Sequence, residues 1–365
     1  MLFRSGVSAS HPRPLSELGG WPAVLSTLIS RHDLDPEVAE AAITEILEGS
    51  ATPSQMTAFI VALRAKGETA PELAGMLRAV RAAGQRVDLS ADIAARAIDI
   101  VGTGGDRSGS FNISSASSLI VAAAGVPVLK HGNRSITSRS GSADFLAGLG
   151  VALEATDDQL RRAVREASFC YLYAPAFHSA FKAVLGVRKR LAEQGHKTLF
   201  NVLGPLVNPA RPATMMVGVY AERWVEPMAA ALGELGVRRG LVVHGRVGDG
   251  MDELTTAGET RVRGCGELAS VDGVWLPGDF GFRACPPSEL RGGTPEENLA
   301  QFADLLVGAV PAGLLDTLCL SAGTALWVAG QAVDPSAGAR RAREVVLGGE
   351  LRLQAQRLRA AYRVD

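Results

Sequence analysis

The amino-acid sequence predicts an α/β protein: a small N-terminal helical domain followed by a larger, mostly parallel sheet flanked by helices. Three observations predict it. Residues 20–84 carry apolar positions at helical spacing, with cap signals and no strand-like run. From about Ala97 onward, short apolar runs alternate with helical stretches, the pattern of βαβ units. Two of those runs end in polar, glycine-bearing loops, the place where open α/β sheets bind ligands. We therefore divide the chain into a helical domain over 1–92, with a helical crossover from about 176–195, and an α/β domain over 93–365.

The helical domain is read from its caps. Thr52-Pro53-Ser54-Gln55 offers an N-cap, a proline at the first helical position and a capping-box glutamine. Met56, Phe59, Ile60 and Leu63 then make one apolar face. Thr69-Ala70-Pro71-Glu72 repeats the signal before Leu73, Met76, Leu77 and Val80. Further along, strands are expected at Ala97–Val101, Val126–Leu129, Phe169–Tyr173, Met215–Tyr220 and Gly240–His244. Helices are expected at Ile113–Ala124, Ala143–Leu149, Asp157–Ala167 (capped by Thr156 with Gln159) and Glu222–Leu235. Residues 254–285, richer in Thr, Val, Gly and Asp, predict a small antiparallel appendage. Helical signals return at Pro295–Leu306, Leu314–Val328 and Pro335–Ala361.

Composition bounds the function. With 365 residues, 47% of them apolar and 21% charged, the chain can bury an ample core. A net charge of −1 argues against a general binder of nucleic acid or membrane surfaces. The four cysteines lack metal-like spacing and are expected as reduced thiols of a cytoplasmic protein. No uninterrupted apolar run of about 18 residues predicts a membrane span. The first 16 residues hold prolines and charges without an apolar stretch, and read as a loose leader.

Three stretches could carry chemistry. Gly102-Thr103-Gly104-Gly105-Asp106 lies between a strand and a helix, where backbone N–H groups approach an anion closely. Its glycine spacing fits neither the dinucleotide fingerprint nor a P-loop. Asn112, Ser114 and Ser115 add polar groups at the next helix start, a setting suited to phosphate. Lys130-His131-Gly132-Asn133-Arg134 gathers a cation, an imidazole, an amide and a guanidinium just beyond a second strand. Ser138-Arg139-Ser140-Gly141-Ser142 supplies more anion-friendly groups, so a doubly phosphorylated ligand suits these loops. Third, Asp252-Glu253 near His244-Gly245 is an adjacent pair of acids of the kind that binds magnesium, particularly beside a phosphorylated substrate, or that forms a solvated turn.

Taken together, GTGGD at 102–106, NISSAS at 112–117, KHGNR at 130–134 and SGSAD at 140–144 resemble the anthranilate phosphoribosyltransferase family. So do Tyr173-Ala174-Pro175 with His178, the run Phe200–Leu206 with Asn208-Pro209, and His244-Gly245 with Asp252-Glu253. The likeness runs in order over roughly residues 20–345. It implies transfer of the phosphoribosyl group of 5-phosphoribosyl-1-pyrophosphate (PRPP) to the amine of anthranilate, in tryptophan biosynthesis, by a homodimer with two magnesium ions per site. By motif match, Gly102, Gly105, Asp106, Asn112, Ser114, Ser115, Lys130 and Ser142 would bind PRPP, and Ser114, Asp252 and Glu253 would serve the metal. Gly102, His131, Asn133, His178, Lys197 and Pro205 would line the amine's side. No dedicated base is implied, because an aryl amine is already neutral and needs orientation.

The departures from the family pattern fall on the acceptor side. Lys197 stands where the family has an arginine, after an apparent short insertion, and offers a point charge in place of a planar fork. The usual His-Pro-Ala is Phe177-His178-Ser179-Ala180, and Met251 interrupts the Gly-Leu-Asp-Glu motif. On the donor side, Ser115 replaces the common threonine and keeps its hydroxyl. These changes leave open the same chemistry on a related aromatic amine. A pyrimidine nucleoside phosphorylase would require a Lys-His-Ser/Thr-Gly-Gly pattern, which KHGNR replaces. A nucleic-acid-binding relative would require a broad basic surface.

Overall fold

The computed structural model describes residues 13–134 and 139–363. Most of the expected leader and Ser138 lie outside the described residues. Two compact units emerge: one runs to Ala83 and includes Ala180–Leu199, the other comprises Gly84–Ser179 and the chain from Phe200. The first boundary falls earlier than residue 92 because Val87 and Leu89 are buried in the core of the α/β unit.

The helical unit holds helices Gly20–Ile29, Pro36–Glu48, Pro53–Lys66 and Ala70–Ala83, with Leu185–Glu193 from the returning segment. Thr52 and Gln55 form the capping box, and Met56, Phe59, Ile60 and Leu63 are buried. Glu72, in the first turn of its helix, is buried and accepts from Leu34 N at 2.8 Å, Thr69 N at 2.9 Å and Lys66 Nζ at 2.9 Å. A carboxylate so placed is paired and fully bonded, so its burial is tolerated.

The α/β unit is built on a seven-stranded sheet: β1 (Ile98–Gly102), β2 (Val128–Gly132), β3 (Phe169–Tyr173), β4 (Thr214–Gly218), β5 (Arg239–Arg246), β6 (Glu259–Gly266) and β7 (Asp272–Trp275). Their order is β3-β2-β1-β4-β5-β6-β7. The first five strands pair in parallel, and β6 and β7 add antiparallel at one side. The expected antiparallel appendage is thus part of the main sheet. From β1 the chain builds outward through β2 and β3, then returns to β4 on the other side of β1. That reversal between β1 and β4 is the switch point at which such sheets open a crevice.

Two helix expectations change. Pro335–Leu347 and Glu350–Ala361 are separate helices, because Gly349 sits at φ 84°, a left-handed conformation that stops the first. The stretch from Glu222 begins as a short 3₁₀ turn, Glu222–Trp224, before the helix Val225–Glu234. The helices Ala312–Val328 and Pro335–Leu347 cross at Gly323 and Gly338, where a Cβ on either would collide with backbone of the other. Among the described residues, no helix is long and apolar enough to cross a membrane.

Candidate active site

The site starts at the carboxyl ends of β1 and β4. Gly102 closes β1 and pairs with Gly218, which closes β4. Both are glycine for a visible reason: a Cβ on Gly102 would meet the Asp252 carboxylate, and one on Gly218 would collide with the Asp252 carbonyl. After β5 the chain doubles back, with Gly245 and Met251 bonded to each other's backbone, and this hairpin delivers Asp252-Glu253 to the crevice. Asp252 Oδ2 accepts from Gly104 N at 2.6 Å. Gly104, Gly105, Arg107 and Gly109 all take positive φ, which coils residues 103–109 into a tight loop above β1. Thr103 ties that loop to the end of β4, donating N–H to Gly218 O at 3.0 Å and accepting from Tyr220 N at 3.0 Å.

Facing the loop is the start of the helix Ile113–Ala123. Ser114 donates its backbone N–H to Glu253 Oε1 at 3.1 Å, so a carboxylate now satisfies a helix-start donor that would suit phosphate. Ser115 is buried and its hydroxyl has no hydrogen-bond partner among the described residues. Asp106 Oδ2 accepts from Asp252 N at 3.4 Å, which brings three acids to one place. Burial, then the Asp106 and Glu253 charges, push the Asp252 carboxyl well above its usual range. Burial pushes Glu253 up to about 7 against the pull of Lys130. Repelling carboxylates and a hydroxyl are hard oxygen donors of the kind magnesium takes. Among the described residues no set of three or more His, Cys, Asp or Glu is arranged to hold a metal alone. A magnesium ion on these acids would therefore complete its shell with phosphate and water oxygens, as it ordinarily does.

Sequence alone placed Lys130 and His131 on a loop past β2. The structure corrects this: β2 continues through Gly132, and both residues are buried within it. The Lys130 Nζ donates to the Ile100 carbonyl and to Ser114 Oγ at 3.5 Å, which puts an ammonium beside the helix start and the acids. Burial pulls it toward the neutral form, and Asp99, Glu253 and Asp252 oppose that. Asn133 and Ser142 meet at the end of β2, Ser142 Oγ donating to Asn133 O at 3.3 Å and lying 3.0 Å from Tyr171 Oη. Asn112 clamps this second loop. Its Oδ1 accepts from Ser140 Oγ at 3.2 Å and from Asn298 Nδ2 at 2.8 Å.

On the acceptor side, the His131 and His178 rings meet edge to face at 5.3 Å between centroids. A histidine expected on an open loop is thus buried, with Nε2 3.0 Å from the Val207 carbonyl. His131 Nε2 is buried without a hydrogen-bond partner among the described residues. Burial foremost, with repulsion between His131 and His178 when protonated and the nearby Lys130, pushes His131 down to about 3, so the imidazole is neutral. Pro205 is buried in the turn Gly204–Leu206. Lys197 is half-buried at the end of the returning segment of the helical unit, and is the one expected site residue outside the α/β unit.

Sequence reasoning gave no role to Asp99, Asn208, Tyr171 or Asn298. All four are buried behind the expected residues and bond to them or to their strand. The available signal was Asp99 itself, a charge in the middle of the apolar run Ile98–Val101.

Lys130, a helix start and three acids meeting at the switch point suit an anionic substrate held with a divalent cation, and comparison with known proteins gives the class. The glycosyl transferase family's α/β domain matches residues 94–351, and its helical bundle domain matches residues 22–84. Among curated proteins, the anthranilate phosphoribosyltransferase of Brucella suis biovar 1 is 44% identical over 313 residues, 85% of this chain and 88% of that one. That of Geobacter sulfurreducens is 41% identical over 341 residues, 89% of this chain and 94% of its own. Among solved structures, the anthranilate phosphoribosyltransferase of Thermus thermophilus superposes with a TM-score of 0.84 at 40% identity, covering 93% of this chain and 99% of that one. The Saccharomyces cerevisiae enzyme, solved with PRPP and Mg, shares the fold with a TM-score of 0.82 at 24% identity, covering 95% of this chain and 99% of its own. The chain belongs to the anthranilate phosphoribosyltransferase family.

Proposed function

We propose that this chain transfers the 5-phosphoribosyl group of PRPP to the amine of anthranilate and releases pyrophosphate, as a step of tryptophan biosynthesis. The observation that carries this is the convergence of Lys130, the start of the helix Ile113–Ala123 and the acids Asp106, Asp252 and Glu253 on one crevice. Breaking the bond from ribose C1 to pyrophosphate builds positive charge on the sugar and negative charge on the leaving group. Fixed donors already aimed at that negative charge lower the barrier without reorganising. Lys130 and the Gly105 N–H take this role, joined by the N–H groups of Gly104 and Ser114 once Asp252 and Glu253, their present acceptors, turn to magnesium, with Asn112, Ser115 and Ser142 completing the donor's surroundings. Magnesium, two ions per site, supplies charge neutralisation at the pyrophosphate when bound to Ser114, Asp252 and Glu253.

The amine approaches from the side of His131 and His178, with Gly102, Asn133 and Pro205 shaping its path. His131 Nε2 offers a neutral acceptor to an amine N–H, so these groups orient the nucleophile and no strong base is needed. Lys197 pairs with the anthranilate carboxylate. We place the enzyme in the cytoplasm, where its cysteines stay unpaired as they are in the structure. It works as a homodimer formed through the helical unit, which leaves Ile29, Val61 and Leu185 exposed.

One residue favours a second reading. Lysine at 197 recognises a carboxylate less exactingly than an arginine fork, which would admit a related aromatic amine. Steady-state turnover with PRPP, Mg²⁺ and a panel of aminobenzoates decides between them. Anthranilate is expected to give the highest kcat/KM, and turnover of another amine with none of anthranilate would overturn the first reading. Sedimentation velocity on the same protein reads the dimer.

A further inference from the structure

We propose that Asp99, acting with Asn208, is a positioning residue for the transfer: the two form a buried side-chain bridge between β1 and β2 that sets where Lys130 and His131 stand. The proposal rests on the site reading given above. It begins with an irregularity in the sheet. β1 pairs with β4 at five successive positions but with β2 at one, Ile98 with Val128. Beyond that pair the ladder between the two strands stops although they remain neighbours, and side chains make bonds across them in its place.

Each replacement can be traced. His131 donates its backbone N–H to Asp99 Oδ1 at 3.2 Å. The two N–H groups of the Asn208 amide go to Asp99 Oδ2 at 2.8 Å and to the Leu129 carbonyl at 2.7 Å. Asn208 Oδ1 accepts from Ala210 N at 2.9 Å, so both N–H groups and the oxygen of the amide are bonded. Lys130 reaches across the same two strands to the Ile100 carbonyl. Asp99 is fully buried, and Asn208 and Lys130 nearly so.

A carboxylate is an expensive way to fill a sheet interior, since an apolar residue of similar volume would serve packing as well or better. What Asp99 does that an apolar residue would not is accept from the His131 backbone and, through Asn208, tie β1 to the Leu129 carbonyl on β2. Lys130 and His131 are consecutive, one directed to the donor's crevice and the other to the acceptor's. A single bridge therefore fixes both halves of the reaction, which would require alignment well within an ångström.

Asp99→Asn tests this at constant volume. An amide at 99 must turn an N–H toward either His131 N or Asn208 Nδ2, donor against donor, so the bridge breaks while the core stays filled. The expected result is a folded protein whose kcat/KM falls at least about tenfold toward both PRPP and the amine, with kcat itself reduced. Calorimetric binding of PRPP with Mg²⁺ weakens in parallel. Thr317→Val is the control, because Thr317 is buried in a separate network with Thr256. It is expected to lower Tm and to leave both KM values within about twofold.

Should Asp99→Asn not fold, Asn208→Ala removes the same bridge from the other side and is expected to shift the same constants. Either variant with kinetic constants within about twofold of wild type would overturn the proposal, as would losses that merely track Tm as in Thr317→Val. If the wild-type chain turned over no aminobenzoate, the functional reading would fall. The calorimetric comparison of PRPP binding would still decide the bridge.

Discussion

At the scale of single residues, Lys130 is held between opposing forces. Burial draws its ammonium toward the neutral form, and Asp99 foremost, then Glu253 and Asp252, pull the other way. Removing it by Lys130→Ala leaves those carboxylates without their neighbouring side-chain cation and takes a fixed donor from the leaving pyrophosphate. We expect kcat/KM for PRPP to fall by about 10²–10³, the usual cost of losing one preorganised group that stabilises transition-state charge. The KM for the amine should move much less, and steady-state kinetics with each substrate varied in turn reads the difference. Lys197 makes the opposite prediction. Lys197→Arg provides a planar fork for a carboxylate, so the anthranilate KM is expected to fall roughly three- to tenfold with the PRPP KM unchanged. An unchanged anthranilate KM would remove Lys197 from the acceptor side. In the folded protein His131, held neutral with its pKa down at about 3, adds no titrating group to the site between pH 5 and pH 8.

At the scale of elements, the loops depend on glycines that permit close approach. The Asp252 carbonyl packs directly over Gly218 at the end of β4, so Gly218→Ala must push the Asp252-Glu253 hairpin out of the crevice. We expect that variant to stay folded, to lose about 1–3 kcal/mol of stability from overpacking, and to need far more Mg²⁺ for half-maximal activity. A magnesium titration of activity, with thermal melts alongside, checks both. Elements of this kind were legible in the sequence wherever the signal is local. The capping boxes at Thr52 and Thr156 and the apolar face behind Met56 need only neighbours along the chain, and the structure has them. The end of β2 was not legible in the same way. Lys130 and His131 look like loop residues until Asp99 and Asn208, distant in sequence, supply the charge and bonds that let a strand bury them. The Gly348-Gly349 break was missed for a milder reason: apolar periodicity on both sides continued through it.

At the scale of the whole molecule, the sheet's topology explains why motifs far apart in sequence meet. Reversal of strand order at β1 opens the crevice, and the hairpin after β5 returns Asp252-Glu253 to it. The glycine-rich loop and the acid pair could each be picked out by residue type. That they share one site follows from strand order, which no local pattern encodes. The acids also tie stability to pH. Glu253 is pushed up to about 7 from 4.5, Asp99 up to about 6 from 3.8, and Asp252 well above its usual range, all chiefly by burial. A carboxyl whose folded pKa lies above its unfolded value holds its proton more tightly in the folded state. Its contribution to stability is full below the unfolded pKa and is lost as pH rises through the folded one. Taken alone these acids lower Tm between about pH 4.5 and pH 7 as they ionise in place, while His131 and His178, held neutral by burial, act in the opposite sense up to about pH 6.5, so the acids' share is read from the Glu253→Gln difference. A divalent cation competes with those protons, so Mg²⁺ with pyrophosphate should raise Tm more at pH 8 than at pH 5. Glu253→Gln removes one titrating group, and the pH dependence of that increment should shrink with it. Thermal melts of both proteins at the two pH values, with and without Mg²⁺ and pyrophosphate, measure the effect. An increment equal at pH 5 and pH 8 in the wild-type chain would show that these acids do not hold the metal.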